Sequence, residues 1–509
     1  MKSLKIIYTF LLIIAFTFSS CNEETVELDP IGDTEAGFFL NEEQMTQAVL
    51  GIYQKVSFFY TFRSNNWLAG IWALPGDDLT TEGTQGYERF VNINGGDGRL
   101  TSFYTYAYQL IARSNIVIQK IDEADEDVYS RMPELKSIHR GEALFLRAWM
   151  YFKLWNTYGS AAPLVTERIT ELEDAYPPSS QGTELLDQAI IDLEEAATLL
   201  PSEWDASNLG RVTSNSALGL RGKILVFRGS VNNNQSDFTA AIANFNAISG
   251  LSLMPNYRDN FDAAQENNGE SLFEYQANDQ SQVSNPFLDN DAFAVVGDLT
   301  AYYGMYTQTP SWVGTNIMFA TESLINAYEE GDPRLDYTLD LEAGVTNVIK
   351  YTLDGTKSSG FAGSYNINLN NPRILRYADI LLLKAEALIR TGGSTSDAIA
   401  LINEIRQRAR LSTEDGSEAA APADLDLSVT DTDTILEWIF QERRIELACE
   451  EGHRWYDLRR RYMMGEIDLT TWDFNSARDD FEFKDENLVF PIPNTEVANN
   501  PNLVQNPGY

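Results

Sequence analysis

The chain has 509 residues, 43% of them hydrophobic, enough for a large buried core and, by length alone, about three domains. Lys and Arg number 37 against 75 Asp and Glu, a formal net charge of −38. That balance argues against nucleic acid as a partner, because phosphate binding needs a basic face. It mildly disfavours sulfated or uronic-acid glycans, and two histidines with two cysteines nearly exclude a His/Cys-rich zinc site.

Lys2 and Lys5 precede an apolar run from Ile6 to Phe18. The run is shorter than the roughly 20 residues of a membrane span and reads as the core of a signal peptide over 1–20. It ends Phe18-Ser19-Ser20-Cys21, which resembles a lipobox with Phe18 in the usual Leu place and Ser20 in the usual Gly or Ala place. Cys21 is then the lipidated first mature residue; the alternative is an ordinary signal peptide. A polar tether broken by Pro30 and Gly32 occupies 21–40. Asn41 caps a helical pattern with Met45, Val49, Ile52 and Val56 on one face. Trp67 and Trp72 read as core, and Pro75 to Asp78 as a turn. Thr80 to Arg99 has no stable period and holds Gly83, Gly86, Gly95, Gly96 and Gly98, so it reads as a long excursion of the functional kind.

Helical order resumes at Leu100 to Ile121, at His139 to Phe152, at Leu185 to Leu200, and after Gly210-Arg211-Val212-Thr213. Phe238 to Ile248 continues the pairs; Asn256 to Phe261 and Glu270 to Glu274 read as a turn and a short strand. From Ala277 to Gln308 the period is lost again. There Asn, Asp and Gln alternate with Phe287, Phe293, Tyr302, Tyr303 and Tyr306, and Trp312 follows Pro310. Thr321 to Tyr328 is helical, and Leu353 to Asn371 is rich in Gly, Ser and Asn, with Phe361 and Tyr365 exposed in prospect. Ile374, Tyr377, Leu381, Ala385 and Leu388 line one helix face; Gly392-Gly393 stops it, and Ser396-Asp397 starts a partner with Ala398, Ile402, Ile405 and Ala409 on its stripe. The two form a hairpin of tetratricopeptide size. Asp415 to Pro422 is a low-complexity insertion without an assigned role.

The strings RYADILLLKAEAL from Arg376, ERRIELACEEGHRWYDLRR from Glu442 and FPIPNTEVANNPNLVQNPGY from Phe490 together resemble the RagB/SusD family. GEALFLRAWMYF from Gly141 and the Gly331-Asp332-Pro333-Arg334 turn resemble it too. The resemblance implies a mainly α fold, tetratricopeptide-like helix pairs supporting an irregular ligand-binding part, divided near 41–270 and 271–509. It implies a Bacteroidetes outer-membrane lipoprotein that captures nutrients, usually glycans, for a TonB-dependent SusC-like β-barrel, over which it acts as a hinged lid. Asn22-Glu23-Glu24 after the cysteine fits display on the outer face in that group.

Catalysis finds no nominee. Among 75 acidic residues no carboxylate pair stands out for a glycosidase, and no nucleophile elbow, phosphate loop or H-E-x-x-H occurs. Cys449 and His453 could face each other on a helix, but Cys449 reads as a small buried hydrophobe and His139 as an ordinary helix-face residue. The Glu442 to Arg459 charges read as ion pairs at three- and four-residue spacing that also hold loop carbonyls. No cofactor or metal is expected. A binding module is the favoured reading, with peptide capture and surface glycoside hydrolysis as alternatives. Its site is expected where Thr80–Arg99 meets Ala277–Trp312. Tyr87, Tyr303 and Trp312, with Tyr302 and Tyr306 in reserve, are the stacking platforms; Asp78, Arg89 and Asn92 contact hydroxyls.

Overall fold

The computed structural model describes residues 35–60, 68–81, 86–277, 318–341, 346–351, 359–361, 365–367, 370–478 and 480–509. Ten long helices among them form the scaffold: α1 (Glu42–Tyr60), α2 (Gly98–Glu123), α3 (Glu134–Tyr158), α4 (Glu184–Leu199), α5 (Ser214–Asn232), α6 (Gln235–Ala247), α7 (Tyr377–Arg390), α8 (Thr395–Arg410), α9 (Thr432–Glu446) and α10 (His453–Met463). Each of the first eight packs on the next along the chain, and α9 lies on both α7 and α8, so the architecture is mainly α and built of helix pairs, as read from the sequence.

Local chemistry starts most of these helices where the sequence says. The Asn41 Oδ1 accepts from the Gln44 N–H at 3.0 Å, and Met45, Val49, Ile52 and Val56 are all buried. Thr213 and Ser216 form a reciprocal capping box ahead of α5. The cap of α8 is Ser394, whose hydroxyl accepts from the Asp397 N–H, two residues before the expected Ser396. Gly222 of α5 lies against the Phe245 ring of α6, where an added Cβ would come within 2.2 Å.

Two apolar cores result. The large one takes the inner faces of α1 to α6 together with Ile380, Leu383 and Ala387 of α7. A second gathers Leu381, Leu382 and Ala385 of α7 with Ile402 and Ile405 of α8 and Ile435 and Ile439 of α9. Helix α7 therefore buries two faces, and its expected single stripe is corrected in one further respect: Ile374 precedes it, in strand β8 (Arg373–Arg376). That strand pairs antiparallel with β2 (Ser271–Glu274), the short strand expected there. All four residues of β8 are buried, so both faces are committed and a helical continuation of α7 would withdraw its two arginines from their partners.

The irregular parts of the chain have their own small sheet, in the order β1-β3-β5-β4, formed by β1 (Leu79–Thr81), β3 (Met318–Ala320), β4 (Leu339–Asp340) and β5 (Asn347–Val348). β1 pairs β3 antiparallel, Leu79 opposite Ala320 and Thr81 opposite Met318. The roots of the two excursions, far apart in sequence, are thus hydrogen-bonded side by side. β6 (Ser359–Phe361) and β7 (Tyr365–Ile367) form a separate hairpin that contains Phe361 and Tyr365, whose side chains lie outside what is described. No helix of the described residues is long and apolar enough to cross a membrane.

Candidate ligand-binding cleft

Helix α9 has two polar faces with different fates. Inward, Glu446 accepts from Arg376 Nη1 at 2.6 Å, from Arg334 Nη1 at 3.0 Å and from Arg408, with all four residues buried. Glu442 joins Arg334 to Arg406, and Arg443 donates to Asp379 and Asp457, each at 2.7 Å. Arg459 donates to the Asn156 carbonyl at 2.6 Å, and Arg376 and Lys350 donate to the Glu446 carbonyl. The run does hold buried carbonyls, but its charges pair mostly with residues remote in sequence, not at the helical spacings expected. The arginines outweigh burial at Glu446 and hold its carboxyl far below the ordinary range.

Outward, Gln441 and Arg444 of α9 face the turn Glu322–Ile325 and the segment after Leu469–Thr471. Between them lies an open cleft of about 490 Å³ lined by Glu322, Ser323, Asn326, Ala327, Gln441, Arg444, Asp473 and Ser476. The turn follows β3 directly. Its cap, Thr321, accepts from the Leu324 N–H, donates its hydroxyl to the Asp77 carbonyl at 2.6 Å and its N–H to the Asp78 carbonyl at 2.9 Å, so the cleft wall is bolted to the root of β1. Gln441 Nε2 closes the other end on the Ala327 carbonyl at 2.8 Å.

Arg444 is the deepest group, its side chain 9% exposed. Nε donates to Asp78 Oδ1 at 2.7 Å and Nη2 to Ser323 Oγ at 2.9 Å. Next door, Arg454 makes a two-point contact with Asp77 at 2.6 and 2.8 Å, and the Trp472 indole N–H donates to Asp77 Oδ2 at 3.2 Å. Burial pushes both carboxyls up. At Asp77 the Arg454 and Arg444 guanidiniums outweigh it and hold the group at about 2. At Asp78 burial and the neighbouring Asp77 charge leave the group raised despite Arg444. Trp472 is half-buried beside the cleft-lining Asp473.

The sequence-nominated residues are dispersed. Asp78 is buried behind the cleft and committed to Arg444, so it supports the site rather than facing a hydroxyl. Tyr87 is 1% exposed, packed edge-on against Phe490 at 5.2 Å with the Arg99 guanidinium over its ring, which corrects its assignment as an open platform. Arg89 is paired with Asp480, and Asn92 is exposed at φ +57° in the loop before α2. The described ends of the Thr80–Arg99 excursion are tied together: the buried Glu88 accepts from Thr80 Oγ1 at 2.5 Å and from Thr81 N and Oγ1. Tyr302, Tyr303, Tyr306, Trp312, Trp67 and Cys21 lie outside the described residues. Trp72 is buried, as expected of a core residue.

Sequence reasoning missed Ser323, Asn326, Gln441, Asp473 and Ser476, and placed Arg444 only in an ion-paired run. On a helix, Gln441 and Arg444 share a face three residues apart, which is also the pattern of a solvated surface. The sulfur–imidazole pair weighed from sequence does not share a helix: Cys449 lies in the turn between α9 and α10, at φ +62°, and His453 opens α10. Burial raises the Cys449 thiol and depresses the His453 imidazole, whose Nδ1 sits 3.3 Å from Lys223 Nζ. His139 is a helix residue of α3, as read, and is fully buried between Thr46 and Tyr129. Among the described residues no group of three His, Cys, Asp or Glu is placed to hold a metal ion.

Two family descriptions match this chain. "SusD family" covers residues 227–509 and "Starch-binding associating with outer membrane" covers 52–226. The chain is 26% identical over 551 residues to SusD-like protein P2 of Formosa agariphila, with 100% of both chains covered. It superposes on a laminarin-binding SusD-like protein with a TM-score of 0.71 at 25% identity, covering 92% of this chain and 100% of the other. Surface glycan-binding protein A from Bacteroides fluxus gives 0.72 at 22% identity with the same coverage, a likeness of fold.

Proposed function

The chain belongs to the SusD family, and from that premise we propose that it is a cell-surface glycan-binding lipoprotein that passes oligosaccharide to a TonB-dependent, SusC-like β-barrel of the outer membrane. The observation that carries the binding step is the polar cleft at the root of β1 and β3. Asn326 and Gln441 offer amides, Ser323 and Ser476 offer hydroxyls, and all are of the kind that exchange hydrogen bonds with sugar hydroxyls. Trp472, its indole N–H fixed on Asp77, supplies a flat apolar ring near Asp473 for the C–H face of a pyranose. Trp312 is proposed as a further platform, with Tyr302, Tyr303 and Tyr306 beside it in sequence, and the exposed Asn92 as an outer hydroxyl contact. The family description of starch binding at the outer membrane and the laminarin-binding relative support the ligand class. Relatives named for binding support a module without catalysis, the Cys21 lipobox supports a lipid anchor, and Asn22-Glu23-Glu24 after it supports display on the outer face.

The test uses a panel of fluorescent glycans and peptides against intact cells and against purified protein. Cells carrying the wild type should capture a glycan, and Cys21→Ala cells should lose that capture although the purified variant still binds. Asn326→Ala with Gln441→Ala, or Trp312→Ala, should each cost about 1–3 kcal/mol, roughly tenfold to a hundredfold in affinity. Folded protein that binds only peptides, or that releases new reducing ends from a bound glycan, would sink the proposal. Unaltered affinity in the Asn326 and Gln441 double variant would move the site elsewhere.

A further inference from the structure

The cleft carries three charged groups among the described residues that line it, and they are not balanced in what they offer a ligand. Glu322 and Asp473 are both exposed at its mouth. Arg444 is the single cation among these described residues, and two of its three nitrogens are already engaged: Nε on Asp78 at 2.7 Å, Nη2 on Ser323 at 2.9 Å and 3.4 Å from Asp77. Behind it stand two buried carboxylates against one further guanidinium, Arg454. An anionic sugar reaching for Arg444 would meet a guanidinium with Nε and Nη2 already engaged, and it would enter past the Glu322 and Asp473 carboxylates in the field of a chain with a net charge of −38. An uncharged sugar meets no such opposition, since its hydroxyls take the amides and hydroxyls of Asn326, Gln441 and Ser476.

We propose that this cleft is a charge filter: it accepts uncharged or amino-substituted oligosaccharides and rejects sulfated and uronic-acid glycans, with Glu322 and Asp473 as the specificity-determining residues. The inference rests on the glycan-binding reading of the same site and names its substrate class. Repulsion between solvent-facing charges is screened over about 8–10 Å at ordinary ionic strength, so the discrimination should be strongest in dilute buffer and fade with salt.

The experiment measures affinities for matched pairs, laminarin against laminarin sulfate and xylan against glucuronoxylan fragments, within a wider glycan panel in EDTA. Hits should be confined to uncharged or amino members. The Glu322→Gln/Asp473→Asn double variant, its fold checked by thermal melting, should shrink the neutral-to-anionic preference about tenfold at low salt and much less at about 0.5 M salt. Ser476→Asp should widen the preference by several-fold in the opposite direction. An anionic glycan bound as tightly as its neutral counterpart, or a preference that neither variant moves, overturns the charge filter while leaving glycan binding intact. Folded protein that binds no carbohydrate in the panel overturns both, so the two failures are separable.

Discussion

The two faces of α9 use the same residue types to opposite ends. On the inner face Glu446, Arg334, Arg376 and Arg408 are sealed from water, and the three guanidiniums converge on the one carboxylate. On the outer face Gln441, Arg444 and the facing Glu322 and Asp473 line an open cleft. What separates scaffold from site is access to water, not composition. A buried charge is retained only with partners, because an orphan in a low-dielectric interior is expensive. A polar group at the cleft can keep water as its resting partner and exchange it for a ligand.

The sharpest way to break that contrast is to remove the inner hub. Glu446→Ala leaves three buried guanidiniums without their shared carboxylate and should cost about 3–5 kcal/mol, or prevent folding altogether. An equal truncation at the cleft mouth, Glu322→Ala, should move stability by no more than about 0.5 kcal/mol. Urea unfolding of the two variants side by side decides it. Comparable losses would mean that burial does not distinguish the faces.

Acid offers a second, smaller lever. Burial, helped by the Arg211 charge, holds the His139 imidazole down at about 4, below its ordinary 6.5. The unfolded chain therefore binds the extra proton first, and stability present above pH 6.5 is lost as pH falls from 6.5 towards 4, by about 3 kcal/mol. The carboxylates act lower. Burial opposes but Arg460 and Arg390 prevail at Glu386, holding it at about 2, so its contribution is lost only between about 4.5 and 2. Stability measured from pH 7 to pH 4 should fall in the wild type and fall less steeply in His139→Gln, where the depressed His453 imidazole still carries part of the decline. A decline that persists unchanged in the variant would assign it to another group.

The scaffold was legible because its signals are local. Met45, Val49, Ile52 and Val56, or Phe103, Leu110, Val117 and Ile121, repeat within one helix and are buried as that spacing demands. The cleft was not, because its parts meet only in three dimensions. Arg444 finds Asp78, 366 positions away, and Asp473 joins Glu322 through no shared pattern. Thr80–Arg99 was misjudged for the same reason. Its glycines and missing period do describe an excursion, but Glu88, Asp480 and Phe490 close it against the body of the protein. Gly95 shows why glycine serves there: its carbonyl accepts from the Asn494 N–H, and an added Cβ would lie 2.8 Å from the Ile492 carbonyl.

Tyr87 provides the smallest and most discriminating test of that closure. Its ring is packed between Phe490 and the Arg99 guanidinium and is 1% exposed, so it has no free face for a sugar. Tyr87→Phe keeps the ring and removes only the hydroxyl. Stability should shift by no more than about 1 kcal/mol, and glycan affinity should not change. Trp312→Ala, assayed in parallel, should weaken binding roughly tenfold or more if that residue is a platform. The phenylalanine substitution is preferable to alanine, which would empty a packed position, costing about 3–5 kcal/mol and confounding affinity with unfolding. If Tyr87→Phe does weaken binding about tenfold in protein that melts as the wild type does, the hydroxyl is reached by the ligand. The excursion must then open from the closed arrangement around Glu88, and the outer boundary of the site would extend from the Arg444 cleft across β1 to α2.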